Sequence, residues 1–100
     1  KIPPIPISLT LSILERKEIY LSWTNPNVYL GPGGEINGHY IAYSSDLGSS
    51  FSVVDTTPDA NTLYTLTGLD ENTDYQIKVA AKNTAGISNY TLVQTIRPHL

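Results

Sequence analysis

The residues from Leu69 to Ser88 leave this chain few ways to fold. From Tyr75 onward Ile77, Val79 and Ala81 fall on one side and Gln76, Lys78 and Lys82 on the other, the period-2 alternation of a strand with one dry face and one wet face. The polar run Asp70-Glu71-Asn72 joins it to an earlier strand ending at Leu66, and Asn83-Thr84-Ala85-Gly86 turns the chain after it. The stretch reads as a corner, a strand and a turn. A strand of this kind needs sheet neighbours and a second layer to cover its apolar side.

The same alternation recurs along the chain. Ile7, Leu9, Leu11 and Ile13 against Ser8, Thr10 and Ser12 predict a first strand over 7–14, followed by a solvated charged tip, Glu15-Arg16-Lys17. Ile19, Leu21 and Trp23 against Glu18, Tyr20 and Ser22 predict a second, closed by the turn signal Asn25-Pro26. Trp23 is the single tryptophan and is expected in the core, where an indole removes about 150–250 Å² from water, an upper figure of roughly 4–6 kcal/mol. Gly38 to Ser45 has two registers: His39, Ile41 and Tyr43 inward, or Tyr40 and Ala42 inward. Side-chain volume favours the first. Phe51–Asp55, Thr62–Leu66 and Tyr90–Ile96 complete the set, separated by polar turns. Three prolines in the first six residues cannot donate to a ladder and suit a linker running into an edge strand, and Pro98 is expected to end the last strand. Seven short strands with no helical period predict an all-β sandwich.

A chain of 100 residues holds one core, hence one domain. Charged residues make up 15% and the net charge is -3, too weak a field to recruit nucleic acid or an anionic membrane. No apolar run approaches the roughly 20 residues of a membrane span. The first residues lack the apolar core of a signal peptide, so targeting information is expected to lie elsewhere in a longer chain. There is no cysteine, so thiolate chemistry, thiolate metal sites and disulfides are excluded. The redox compartment stays open.

No serine is placed beside His39 by a catalytic motif, and His39 and the tail residue His99 are too far apart in sequence to suggest a zinc site. Gly31-Pro32-Gly33-Gly34 lacks the Lys-Ser/Thr and helix of a phosphate cradle. Asp70, Glu71 and Asp74 crowd one segment and raise the question of a cation; a solvated turn is the preferred reading. No enzyme activity, cofactor or metal is expected. The irregular stretch 27–37 is the longest connection and presents Tyr29 and Leu30, either as contact residues or folded back over the end of the core. With Ile87, Asn89 and Tyr90 beyond the last turn, these are the candidate protein-binding residues. Asn89-Tyr90-Thr91 is a glycosylation triplet, but seven asparagines among 20 serines and threonines yield about one by chance. The outward tyrosines, expected to be Tyr20, Tyr29, Tyr40, Tyr64 and Tyr90, would favour sugar contact if they lay in one plane.

The order and spacing of several residues resemble a fibronectin type III domain over nearly the whole chain. Pro3 or Pro4 precedes the first strand, Trp23 ends the second with Pro26 soon after, and Tyr43 lies in the third. Leu69, Thr73 and Tyr75 have the spacing of that family's tyrosine corner, and Asn83, Ala85, Gly86 and Ser88 that of its last turn. Glu71 and His39 stand where the family commonly has proline and tyrosine. The resemblance implies an immunoglobulin-like, seven-stranded antiparallel Greek-key sandwich over 1–100, with 1–6 and 97–100 as linker-like ends. Its implied core includes Trp23, Tyr43, Leu69, Tyr75, Ile77 and Val79. It further implies a non-catalytic module of tandem arrays in cell-surface receptors and adhesion proteins, receptor tyrosine phosphatases among them. Its partners would be neighbouring domains of the same chain and a protein ligand, and it would be monomeric when isolated. The family also serves as a spacer in secreted bacterial polysaccharide-degrading enzymes. Arg-Gly-Asp and the cytokine-receptor tryptophan-serine repeat are absent, so neither of those specialised functions carries over.

Overall fold

The structure is a computed structural model that describes residues 1–98; His99 and Leu100, part of the expected exit linker, lie outside them. Eight strands follow in order: β1 (Ile7–Glu15), β2 (Glu18–Thr24), β3 (Gly38–Ser44), β4 (Ser52–Asp55), β5 (Leu63–Leu66), β6 (Tyr75–Asn83), β7 (Gly86–Ile87) and β8 (Gln94–Ile96). They form two antiparallel sheets, β1-β2-β5 and β4-β3-β6 with β7 and β8 both on the far side of β6. The chain passes between sheets after β2, β4 and β5, which makes the sandwich a Greek key.

Between the layers lie Ile19, Leu21 and Trp23 of β2, Ile41 of β3, Leu66 of β5, Leu69, and Tyr75, Ile77 and Val79 of β6. Tyr43 packs against them half-buried. In β3 the inward register is that of His39 and Ile41, both fully buried. Ala42 and Ala80, on the opposite face, are hidden too. Tyr40 lies across from Ala80 and Lys78 across from Ala42, and the Lys78 ammonium sits 4.3 Å from the Phe51 ring and 4.6 Å from the Tyr90 ring. Such stacking lets a long amphipathic side chain cover a sheet face while its charge stays attracted to the rings.

The bend between β5 and β6 is held by the hydroxyl of Tyr75, which accepts a hydrogen bond from the Asp70 N–H at 2.8 Å. The ring is buried at 4% exposure, so an unpartnered hydroxyl and amide would both be costly. Tyr75→Phe is expected to lower the unfolding free energy by roughly 1–2 kcal/mol, read as a reduced urea midpoint with an unchanged fold.

Three details depart from simple alternation. Ser8 has φ 57° and the β1–β2 register slips between Ile7 and Thr10, so Ile7 points to solvent instead of inward. Tyr64 faces Leu21 across the β2–β5 pair and packs on the core; it is not an outward tyrosine. Of the strand expected over Tyr90–Ile96 only β8, Gln94–Ile96, forms, and the two-residue β7 lies before it, starting at the last residue of the expected turn. Between them side-chain hydroxyls stand in for ladder carbonyls: Ala81 N–H donates to Ser88 Oγ at 3.0 Å and Val79 N–H to Thr91 Oγ1 at 3.1 Å. The N-terminal prolines form no strand, yet Pro3 and Pro6 are buried. The run they belong to lies beside the β7–β8 edge, with Ile2 close to Gly86 and Gln94 Nε2 donating to the Leu9 carbonyl at 2.7 Å. Prolines there protect an edge that would otherwise pair with a stranger.

Candidate protein-binding site at the loop end

The site begins where β2 runs out. Beyond Trp23 the chain must leave one sheet and reach the other, and its first and last residues are tied to the core. Asn25 pairs its side-chain amide with the Nε2 of His39 at 3.0 Å, and the N–H of Asn37 donates to the Lys82 carbonyl at 2.9 Å. Between these anchors Gly34 N–H closes on the Gly31 carbonyl at 3.1 Å. A Cβ on Gly34 would overlap the carbonyl of Leu30, so only glycine permits this loop its path.

Asn83 organises the rest. It occupies the inward register of β6, after Ala81, where the hydrophobic core gives out, and is only 2% exposed. Its side-chain NH2 donates to the carbonyl of Lys1 at 2.7 Å and to that of Gly34 at 2.9 Å, while its side-chain oxygen accepts from the Ala85 N–H at 2.9 Å. One amide thus gathers the N-terminal segment, the 25–37 loop and the 83–86 turn. Thr84 Oγ1 adds a bond to the Gly33 carbonyl at 3.3 Å.

The result is an open cleft of about 440 Å³, lined by Asn25, Pro26, Val28, Tyr29, Leu30 and Ile36 among others. Tyr29 is 77% exposed and Val28 54%, so these side chains extend outward and do not cap the core. Leu30 is half-buried beside them. The structure therefore brings Tyr29 and Leu30 together with the 83–86 turn. Ile87 lies just past that turn and is exposed. Asn89 is exposed farther along the β7–β8 edge, and the ring of Tyr90 lies over Lys78 on the outer sheet face; partial burial raises its hydroxyl pKa.

His39 sits behind the cleft, edge-on to Trp23 with ring centroids 4.9 Å apart. Desolvation lowers its pKa from 6.5 to about 4, against a smaller opposing pull from Asp59, so at neutral pH the ring is uncharged. With one nitrogen bonded to Asn25 and the ring sealed in, it is a packing group. The acidic segment is taken up by separate partners: Glu71 pairs with Arg16 at 3.1 Å and Asp74 with Arg97 at 2.8 Å. Among the described residues no three His, Asp or Glu side chains gather as a metal site would require. Asp55, near the loop end, is held at about 2 chiefly by the Thr57 hydroxyl, then by the Thr57 N–H and Lys82. What the loop end offers is a phenol, aliphatic surface and amides, the materials of a contact surface.

The tyrosines do not form a sugar-binding row. Tyr40 and Tyr90 share the outer face of the larger sheet, Tyr20 lies on β2 with its side chain turned from the core, Tyr29 is in the loop and Tyr64 faces inward. Sequence alternation missed Asn83, Asn25 and Gly34 as organisers. The one signal for Asn83 was an amide standing on the dry register of an otherwise apolar strand.

A family model described as "Fibronectin type III domain" matches residues 3–97. Among solved structures, a stretch of titin domains superimposes with a TM-score of 0.84 at 23% identity, covering 100% of this chain and 33% of that one. The FN1–FN3 domains of chicken CNTN1 give 0.80 at 22% identity, with 98% and 31% covered. The FN5 domain of Drosophila Lar gives 0.75 at 20%, with 99% of each chain covered. The chain thus spans a third or less of the titin and CNTN1 structures. At these identities the superpositions speak for the fold, and the family model speaks for descent: the chain belongs to the fibronectin type III family.

Proposed function

We propose that this domain is a non-catalytic structural and interaction module of a larger cell-surface receptor or adhesion protein, set among neighbouring domains. It contacts protein through Tyr29, Leu30 and the 83–87 turn. Fibronectin type III domains are generally non-catalytic and occur in multidomain adhesion and receptor proteins, within and outside cells. The observation that carries the reading is where the chain meets its ends. Lys1 is tied to Asn83 at the end of β6, and Pro98 accepts from the Asn72 N–H near the start of β6. Nine residues of strand separate those points, about 30 Å, within a body 45 Å long. Such an arrangement adds length to an array and presents the loop end to whatever precedes it.

The test is titration of the chain with the domain that precedes it in its parent. Tyr29→Ala combined with Leu30→Ala is expected to weaken the contact at least about tenfold, as loss of an aromatic anchor does, while stability moves by no more than about 0.5 kcal/mol. Unchanged affinity would remove the loop end as the contact surface.

A further inference from the structure

We propose that Asn89 is a carbohydrate attachment site whose glycan covers the apolar β7–β8 edge. The inference rests on the cell-surface reading above and on placement, since the triplet Asn89-Tyr90-Thr91 alone is expected by chance. Asn89 lies in the one stretch of the edge that carries no strand, is exposed, and its side-chain amide makes no hydrogen bond to the described residues. A branched oligosaccharide there displaces nothing. Directly beyond it stand Leu92, 90% exposed, and Val93, 42% exposed. The proline run beside the edge leaves these two aliphatics exposed, and exposed aliphatics at a sheet edge invite association with another chain. A bulky, solubilising sugar three and four residues away covers the aliphatic surface that the proline run leaves open.

The chemistry requires a lipid-linked oligosaccharyl diphosphate as donor. The amide nitrogen of Asn89 attacks the anomeric carbon, the bond from that carbon to the diphosphate oxygen breaks, and the polyprenyl diphosphate leaves. The proton lost from the amide passes to a base of the transferase. Thr91 constrains the timing. Its hydroxyl accepts the Val79 N–H at 3.1 Å and its own N–H donates to the Val79 carbonyl at 2.9 Å. In the folded domain that hydroxyl is engaged in the sheet, so transfer must precede closure of the edge.

Translation of the chain, behind a cleavable leader, in microsomes is expected to give a species heavier by one glycan. An amidase that removes N-glycans should abolish the shift, as should Asn89→Gln, whereas Thr91→Ser should keep it. The folded domain offered to the same transferase should stay bare. A bare product from the nascent chain overturns the site, and equal modification of the folded domain overturns the timing. The cover is tested by aggregation onset: the glycoform and the bare Leu92→Ser variant should both tolerate several-fold higher concentration than the bare parent. Equal onset for glycoform and parent overturns it. Detection of the native chain in the cytosol would instead count against its location, a failure distinct from any of these.

Discussion

Acidifying the domain from pH 7 to pH 4 is expected to remove about 3 kcal/mol of its stability, most of it through His39. In the unfolded chain the imidazole titrates near 6.5, and in the fold near 4, because burial disfavours the charged ring. A depressed folded value means that the unfolded state binds the proton first. The contribution is therefore complete above 6.5, declines as pH falls through the interval, and is exhausted below about 4. Asp46 and Asp55 are held at about 2 and their carboxylates release stability only at lower pH, so the His39 window stands clear of them. Urea unfolding at half-unit steps of pH measures the slope. His39→Phe, which keeps a ring against Trp23 but cannot titrate, should flatten the curve between pH 6.5 and 4. A slope that survives the substitution would place the effect in another group.

Asn83→Ala is expected to cost about 3 kcal/mol, since it strands two backbone carbonyls and one N–H at a site with little access to water. The loss should not be confined to stability. Without the shared amide the Lys1 segment, the 25–37 loop and the 83–86 turn lose their common tether. Amide hydrogen exchange should accelerate in all three while protection in β3 and central β6 persists. Asn83→Asp is the informative companion, because a carboxylate can still accept from Ala85 N–H but cannot donate to the carbonyls of Lys1 and Gly34. Loops that stay protected in both variants would show that the cluster stands without Asn83.

These two residues also mark where the sequence could and could not be read. Ile77, Val79 and Trp23 announce themselves, because a period-2 pattern and a lone indole have one economical placement in a sandwich. The tyrosine corner is legible as spacing, and the hydrogen bond from Asp70 lies where that spacing requires. His39 is legible as inward through volume, but its partner Asn25 is not. A hydrogen bond between loop and strand leaves no periodic trace. Asn83 falls on the inward register, where the sequence offers only the start of a turn. Ile7 was misplaced because the left-handed residue at Ser8 reverses the faces without any glycine to signal it. The gap between β7 and β8 was hidden because Ser88 and Thr91 complete the ladder with their own hydroxyls, something alternation does not register. The loop residues Tyr29 and Leu30 stand out as candidates from their surroundings alone, while the cleft they line depends on Gly34 accommodating the Leu30 carbonyl.

Because the chain is tethered at opposite poles, tension applied to its termini acts along β1 and β8 instead of prying them sideways. β1 starts at the pole of Lys1 and β8 finishes at the pole of Pro98, so both slide against β2 and β6 respectively. Sliding breaks several hydrogen bonds at once, whereas prying breaks them singly. With three paired residues against the longer β1, the C-terminal strand is the weaker fastening, and extension under load should start there.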